Sequence, residues 1–272
     1  MTCKGAPPRP QTNAHGSICQ ELAAGITVAA EKLLGAAEPA MPSGLHFARR
    51  LSVAAMSMFR STPTLPAGFI PPCLPMTAPR PPSGAIWLHE IKHDGFRVIA
   101  RTDGRRVRLY SRPGNDLTDR FPRIVESVAR LPPCSIDGEA IACDDNGAPS
   151  FDLLRYRQRD DRVFLYAFDL IELHGEDRRR DPLERRKADL ARLLADAWLP
   201  GLVFNGAIDG TEHDGAIVFA HACRLGLEGI VSKRKDSRYV CGRSPYWVKM
   251  KNPASQAVKR EAEEDWGNRQ WR

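Results

Sequence analysis

None of the seven cysteines forms a Cys-x-x-Cys pair. A thiolate zinc site or a dithiol redox motif therefore has no support in the sequence. Their odd number and irregular spacing argue against a disulfide framework and suit thiols in a reducing cytoplasm. No apolar run approaches the roughly 20 residues that span a bilayer as a helix, so no membrane role is expected. There is no internal repeat. Acidic residues are scarce at the start: residues 1–80 hold three Asp/Glu against seven Lys/Arg, and the other 192 residues hold 30 against 33. Much of the net charge of +7 thus lies outside the body of the chain. A surface for a polyanion must come from where charges are placed, not from their sum.

What is present is a chain of 272 residues with 42% apolar content, enough for one large core or two small ones. Residues 1–62 are rich in Ala, Pro, Ser and Gly. Residues 18–34 and 45–59 have helical character, but the expectation for the whole stretch is a disordered leader or an over-extended start, with Met56 or Met58 as the true beginning. Residues 63–84 carry eight prolines, from Pro63 to Pro82, and are expected to be extended and irregular. Phe69-Ile70 could anchor that segment on the domain.

From residue 85 the pattern becomes strand-like. Residues 86–93, 96–101 and 106–111 alternate or run apolar, and Asp103-Gly104 makes the last two a hairpin. Residues 119–131 place Phe121, Ile124, Val125, Val128 and Leu131 on one helical face. Residues 134–142 predict a strand and 163–173 an apolar strand pair. Pro182 introduces a helix to residue 198, with Leu190, Leu193, Leu194 and Ala197 inward. A helix over 213–225 and short strands over 229–233 and 247–251 follow. Strands and helices mix without βαβ alternation, which predicts an α+β domain over 85–252 with largely antiparallel sheets flanked by helices. Residues 253–272 predict a charged tail or short helix.

Five short patterns carry chemistry. The first is Glu90-Ile91-Lys92-His93-Asp94-Gly95-Phe96-Arg97. A lysine amine attacks phosphorus only when deprotonated, which burial, cationic neighbours or a bound metal favour. Asp94-Gly95 would turn the chain and present Lys92 in a pocket, with Arg97 beside it for an anion or hydroxyl. The second is Ser135-Ile136-Asp137-Gly138-Glu139-Ala140-Ile141, whose Glu139 suits a ribose or a metal, although Asp-Gly-Glu also makes ordinary turns. The third is Tyr166-Ala167-Phe168-Asp169-Leu170, where an aromatic could stack on a base or serve as core. The fourth, Leu227-Glu228-Gly229-Ile230-Val231-Ser232-Lys233-Arg234, takes a carboxylate into a strand that leaves basic. In the fifth, Trp247-Val248-Lys249-Met250-Lys251, both lysines point to one face of a strand, as phosphate binding requires and as a solvated edge also allows.

Together, in this order and spacing, these patterns closely resemble the ATP-dependent DNA ligases, within the covalent nucleotidyltransferases (an ATP-grasp-like fold) that include mRNA capping enzymes. The likeness is greatest to the ligase module of bacterial non-homologous end-joining ligases and runs from about Phe69 to Asn252. Ser111-Arg112-Pro113-Gly114-Asn115-Asp116 and Phe121-Pro122 support it. The resemblance implies that Lys92 becomes linked to AMP, with Asp94 supporting its geometry. It implies that Glu90 reads the adenine amine, with Ile91 also at the nucleotide, that Arg97 and Glu139 contact the ribose and that Phe168 stacks on adenine. Arg112 would bind phosphate, and Lys249 and Lys251 would hold the α-phosphate and pyrophosphate. Glu228 and Glu139 would hold Mg2+, with Mn2+ as an alternative. The implied reaction uses ATP to form lysyl-AMP, passes AMP to a DNA 5′-phosphate and lets a 3′-hydroxyl displace it, sealing nicked or broken double-stranded DNA.

The family normally continues after the fifth pattern into an OB-fold, and none fits into residues 253–272. The expectation is therefore a bacterial cytoplasmic monomer, associated with the nucleoid when on DNA, whose missing fold comes from a separate OB-fold or end-binding protein, is dispensed with at a cost in efficiency, or marks the gene as a remnant with little activity. An RNA ligase, a capping-type enzyme and a non-catalytic DNA-end-binding subunit are the competing readings.

Overall fold

The computed structural model describes residues 69–195 and 199–269, with side chains described up to Glu263. The leader expected over 1–62, its two helical stretches and Ala197 lie outside the described residues. Eleven strands are assigned: β1 (Cys73–Thr77), β2 (Trp87–Lys92), β3 (Phe96–Thr102), β4 (Val107–Ser111), β5 (Cys134–Ile141), β6 (Phe164–Leu173), β7 (Glu176–Asp177), β8 (Leu202–Phe204), β9 (Ile208–Asp209), β10 (Gly229–Arg234) and β11 (Gly242–Lys251). The helices are α1 (Pro122–Val128), α2 (Phe151–Arg155), α3 (Leu183–Ala195), α4 (Gly215–Arg224) and α5 (Gln256–Arg269). None of the described helices is long and apolar enough to cross a membrane.

The strands form two sheets. One has the order β1-β11-β10-β2-β9; the other runs β4-β3-β5-β6-β7, with β8 also paired to β6. All pairings are antiparallel except β1 with β11 and β6 with β8. The expected α+β architecture is thus present.

Period-two alternation explains the layers. Val98, Ala100, Ile136, Ala140, Leu165 and Ala167 leave one face of the second sheet and pack with Phe121, Ile124 and Val128 around α1 and with Leu190 of α3. Ile230 and Met250 leave the outer face of the first sheet and meet Val218 and Ala222 of α4. The inner faces meet through Ile70, Leu88, Ile99, Phe168, Ile171 and Trp247. Beyond this shared core the inner faces carry charge, and there they line a cleft.

Three local expectations need correction. Residues 163–173 make one strand, not two, because β6 takes two bulges against β5 instead of turning. The helix expected over 119–131 is a 3-10 turn, Thr118–Arg120, followed by α1, which starts at Pro122 because a first-turn proline has no donor to lose. The proline-rich segment is not wholly irregular. Its residues 73–77 form β1 at a sheet edge, where Pro75 is tolerated.

One buried ion pair ties α3 to β6. Arg186 donates to both oxygens of Asp169 at 2.7 and 2.9 Å and to the carbonyls of Asp181 and Ser237 at 2.6 and 2.9 Å. Both side chains are fully buried. Replacing Arg186 with Leu strands the Asp169 charge in the core, and the expected loss is about 3–5 kcal/mol of unfolding free energy. Urea denaturation checks it; a loss below about 1 kcal/mol would mean that the pair is not structural.

Candidate active site

The register of the first sheet builds one wall of the cleft. Lys92 on β2 pairs with Gly229 on β10, which pairs with Lys251 on β11; one row further in, Glu90 pairs with Val231 and Val231 with Lys249. Residues two apart share a face, so Glu90, Lys92, Lys249 and Lys251 all point inward. Ile91, one residue out of phase, lines the cleft while its side chain packs toward the α4 core. The second sheet supplies the other wall, with Arg97 paired to Glu139 and Glu139 to Tyr166.

Phe168 reaches the cleft through a bulge. Asp137 pairs with Asp169 and Gly138 with Ala167, leaving Phe168 as the extra residue. A bulge re-aims a side chain in this way. Gly95 is also demanded by packing. It does not have a positive φ, so the sharp turn expected there is not the reason for it. A side chain at Gly95 would collide with the Ala140 carbonyl and with Ile141 of the opposite wall. Gly229 has φ +147 and lies against the Met250 backbone, a conformation and approach that only glycine fits.

Lys92 Nζ lies 2.6 Å from Glu228 Oε1. Burial pushes the Glu228 carboxyl above its ordinary range, against the opposing charge of Lys92. Its second oxygen, Oε2, is buried with no hydrogen-bond partner in the structure. Glu139 is pushed up to about 7 by burial, with Lys92 and Arg97 opposing and Glu228 adding to the rise. Two neighbouring carboxylates that resist ionisation, one with a free oxygen, suit a divalent cation. Among the described residues there is no cluster of three or more His, Cys, Asp or Glu for a metal. A cation held here would therefore complete its shell with substrate oxygens, the usual habit of Mg2+.

Behind Lys92 the cleft narrows to a chamber lined by Pro75, Glu90, His93, Phe168, Val231 and Trp247, among others. Glu90 is 2% exposed and is held at 2.7 Å by both Lys187 and Lys233, one on each oxygen. Asn205 bridges from Glu90 to His93: its Nδ2 donates to Glu90 at 3.4 Å and its Oδ1 lies 3.1 Å from His93 Nε2. Burial lowers the His93 imidazole to about 4, so it is neutral, and it stacks on Tyr166 with ring centres 3.9 Å apart. Phe168 is flanked by the Arg97 guanidinium at 4.4 Å and Lys233 Nζ at 4.3 Å. Arg97 itself is bound by both oxygens of the fully buried Asp137, at 2.5 and 2.6 Å, and Tyr239 donates to that same carboxylate at 2.6 Å.

Toward the mouth lie Lys249, Lys251 and Arg112. Burial and the charges of Lys251 and Lys92 lower the Lys249 ammonium. Arg112 lines a second, open pocket shared with Arg97, Arg120 and Glu139. Lys251 pairs with Glu261, and Asp94 accepts two hydrogen bonds from Arg260, both from α5.

All the residues singled out from the sequence converge on this cleft and its mouth. Sequence reading gave no role to Asp137, Lys233, Lys187, Asn205 or Tyr239. Asp137 and Lys233 sit in quoted patterns, in phase with Glu139 and Val231, so strand periodicity alone could have pointed to them. Lys187 and Asn205 carry no local signal.

Two sheets thus enclose a lysine beside carboxylates, a narrow chamber behind it and a basic mouth. The family described as ATP dependent DNA ligase domain matches residues 80–251, and the chain belongs to that family. The multifunctional non-homologous end joining protein LigD of Pseudomonas aeruginosa is 36% identical over 188 residues, 67% of this chain. The chain spans only 22% of that relative's length. The SPbeta prophage-derived DNA ligase-like protein LigB of Bacillus subtilis is 30% identical over 68% of each protein. The solved structure of mycobacterial DNA ligase D complexed with ATP and MES superposes with a TM-score of 0.59 at 34% identity, covering 67% of this chain and 60% of that one.

The raised Glu139 carboxyl has a consequence for stability. Its folded value, about 7, exceeds the ordinary 4.5. Its contribution is fully present below the ordinary value and is lost as pH rises through about 7. In chelator, the wild type should lose about 3 kcal/mol relative to Glu139→Gln between acid and mildly alkaline pH. Chemical denaturation across that range checks this; parallel curves for the two proteins would refute the shift.

Proposed function

We propose that Lys92 attacks the α-phosphorus of ATP to form lysyl-AMP, and that the AMP is then passed to the 5′-phosphate of nicked or broken double-stranded DNA for sealing during end-joining repair. The carrying observation is the Lys92–Glu228 contact at 2.6 Å, with Lys249 and Lys251 on the same sheet face and the narrow chamber behind it.

Glu228 Oε1 is placed to take the proton that Lys92 must lose, and burial raises its affinity for that proton. Phe168 lines the chamber that takes the adenine, and Glu90 with its two lysines and Asn205 forms its polar end. Arg97 is held rigid by Asp137 and, with Glu139, borders the ribose. Lys249, Lys251 and Arg112 neutralise phosphate charge as pyrophosphate leaves. In-line displacement at phosphorus is accelerated mainly by such fixed positive charge. Mg2+, or Mn2+ in its place, would be held by Glu228 Oε2 and Glu139 and would supply Lewis-acid stabilisation of the phosphate oxygens. The reading puts the protein in the bacterial cytoplasm, on the nucleoid.

Incubation with α-labelled ATP and Mg2+ should give a covalent adduct that Lys92→Ala loses completely. Glu228→Gln should slow its formation by about 100-fold or more. Adduct levels read on a denaturing gel decide; equal labelling of wild type and Lys92→Ala would overturn the assignment.

A further inference from the structure

We infer that Glu261 on α5 is an internal competitor for the phosphates of the substrate, seating the helix over the mouth of the cleft until a polyphosphate displaces it. The inference rests on the reading of Lys92, Lys249 and Lys251 as the phosphate-binding cluster.

The start of α5 is fixed to the site. The Asn252 backbone N–H donates to the Glu228 carbonyl at 2.8 Å, and its side-chain Nδ2 donates to the Leu227 carbonyl at 3.0 Å. Asn252, Ser255 and Ala257 are buried. Beyond Ala257 the character changes: none of the side chains from Val258 to Glu263 is buried. This part of the helix is held by charge. Arg260 donates to both oxygens of Asp94 at 2.7 Å, and its guanidinium lies 4.0 Å from the centre of the Phe151 ring. Glu261, one residue on, accepts from Lys251 Nζ.

The helix therefore spans the mouth, touching Lys251 of the first sheet, Asp94 of the loop after Lys92 and Phe151 beside the second sheet. Burial works against the Glu261 carboxylate, but the hydrogen bond from Lys251 and the charges of Lys251, Lys92 and Lys249 hold it below the usual range. A carboxylate thus stands among the cations proposed to grip phosphate. Its side chain is 53% exposed, so the contact is weak and reversible, worth about 1 kcal/mol or less. A polyphosphate brings several charges to the same cations and wins that competition by mass action. The tether at Asn252 keeps the helix close enough to reseat.

The test uses the full chain in chelator with inorganic tripolyphosphate as the probe. Glu261→Gln should bind it about fivefold more tightly than wild type, which is what release from a contact of this strength allows. Glu263→Gln, a change to an exposed acid on the same helix, should bind like wild type. In wild type, tripolyphosphate should speed amide exchange over residues 256–263. Equal affinity for wild type and Glu261→Gln, equal tightening by Glu263→Gln, no binding by any of the three, or unchanged exchange over 256–263 would each overturn the inference. Covalent labelling with ATP separates the two readings. An adduct without tightening leaves the transferase standing and removes the plug. Tightening without an adduct does the reverse.

Discussion

Gathering Lys92, Lys187, Lys233, Lys249, Lys251 and Arg97 in one cleft is possible only because carboxylates are set between them. Glu90 separates Lys187 from Lys233, Glu228 faces Lys92, Asp137 holds Arg97 and Glu261 meets Lys251. Without these partners, mutual repulsion and desolvation would drive such cations apart or strip their protons. The partners are graded by depth. Glu90 and Asp137 are buried and clamp their cations permanently, whereas Glu261 is half exposed and can let go. Rigid pairs shape the chamber, and the looser Lys251–Glu261 pair stands where substrate entry is proposed.

Charge compensation of this kind needs accurate register, and the two sheets provide it. Antiparallel pairing of β2, β10 and β11 puts Glu90, Lys92, Lys249 and Lys251 on one face, while Ile91, Ile230, Val248 and Met250 on the opposite face join the core against α4. A slip of one residue would exchange the two faces, so hydrophobic burial enforces the placement of the charges. The second sheet needs one departure from regularity, the bulge that turns Phe168 inward. Gly95 and Gly229 then let neighbouring backbones approach where any side chain would hold the walls apart.

Much of this was legible in the sequence, for a physical reason that differs from element to element. Strands β2 to β5 follow from alternation and from the Asp103-Gly104 turn, whose geometry is local. Lys92, Glu139, Glu228, Lys249 and Lys251 were legible because each occupies a short pattern whose spacing constrains both backbone and chemistry. Strand β1 was hidden because proline content points to irregular chain, and only an available sheet edge at β11 makes that segment a strand. The single long β6 was mistaken for two strands because a bulge, unlike a turn, leaves no mark in composition. The sequence of residues 253–272 allows a charged tail or a short helix but not the seat of α5, since the partners that hold it, Asp94 and Lys251, lie on other elements.

The sequence by itself determined strands β2 to β5 and β10, helices α3 and α4, and the short patterns that hold the residues proposed to carry nucleotidyl transfer. These depend on covalent spacing and side-chain chemistry. Only the tertiary structure decided which charges meet. It committed Arg97 to Asp137, shared Glu90 between two lysines, set Glu228 against Lys92 and brought Glu261 to Lys251. Ion pairing depends on distances of a few ångströms between residues up to 166 positions apart, as in Arg260 and Asp94, and chain packing alone fixes those distances.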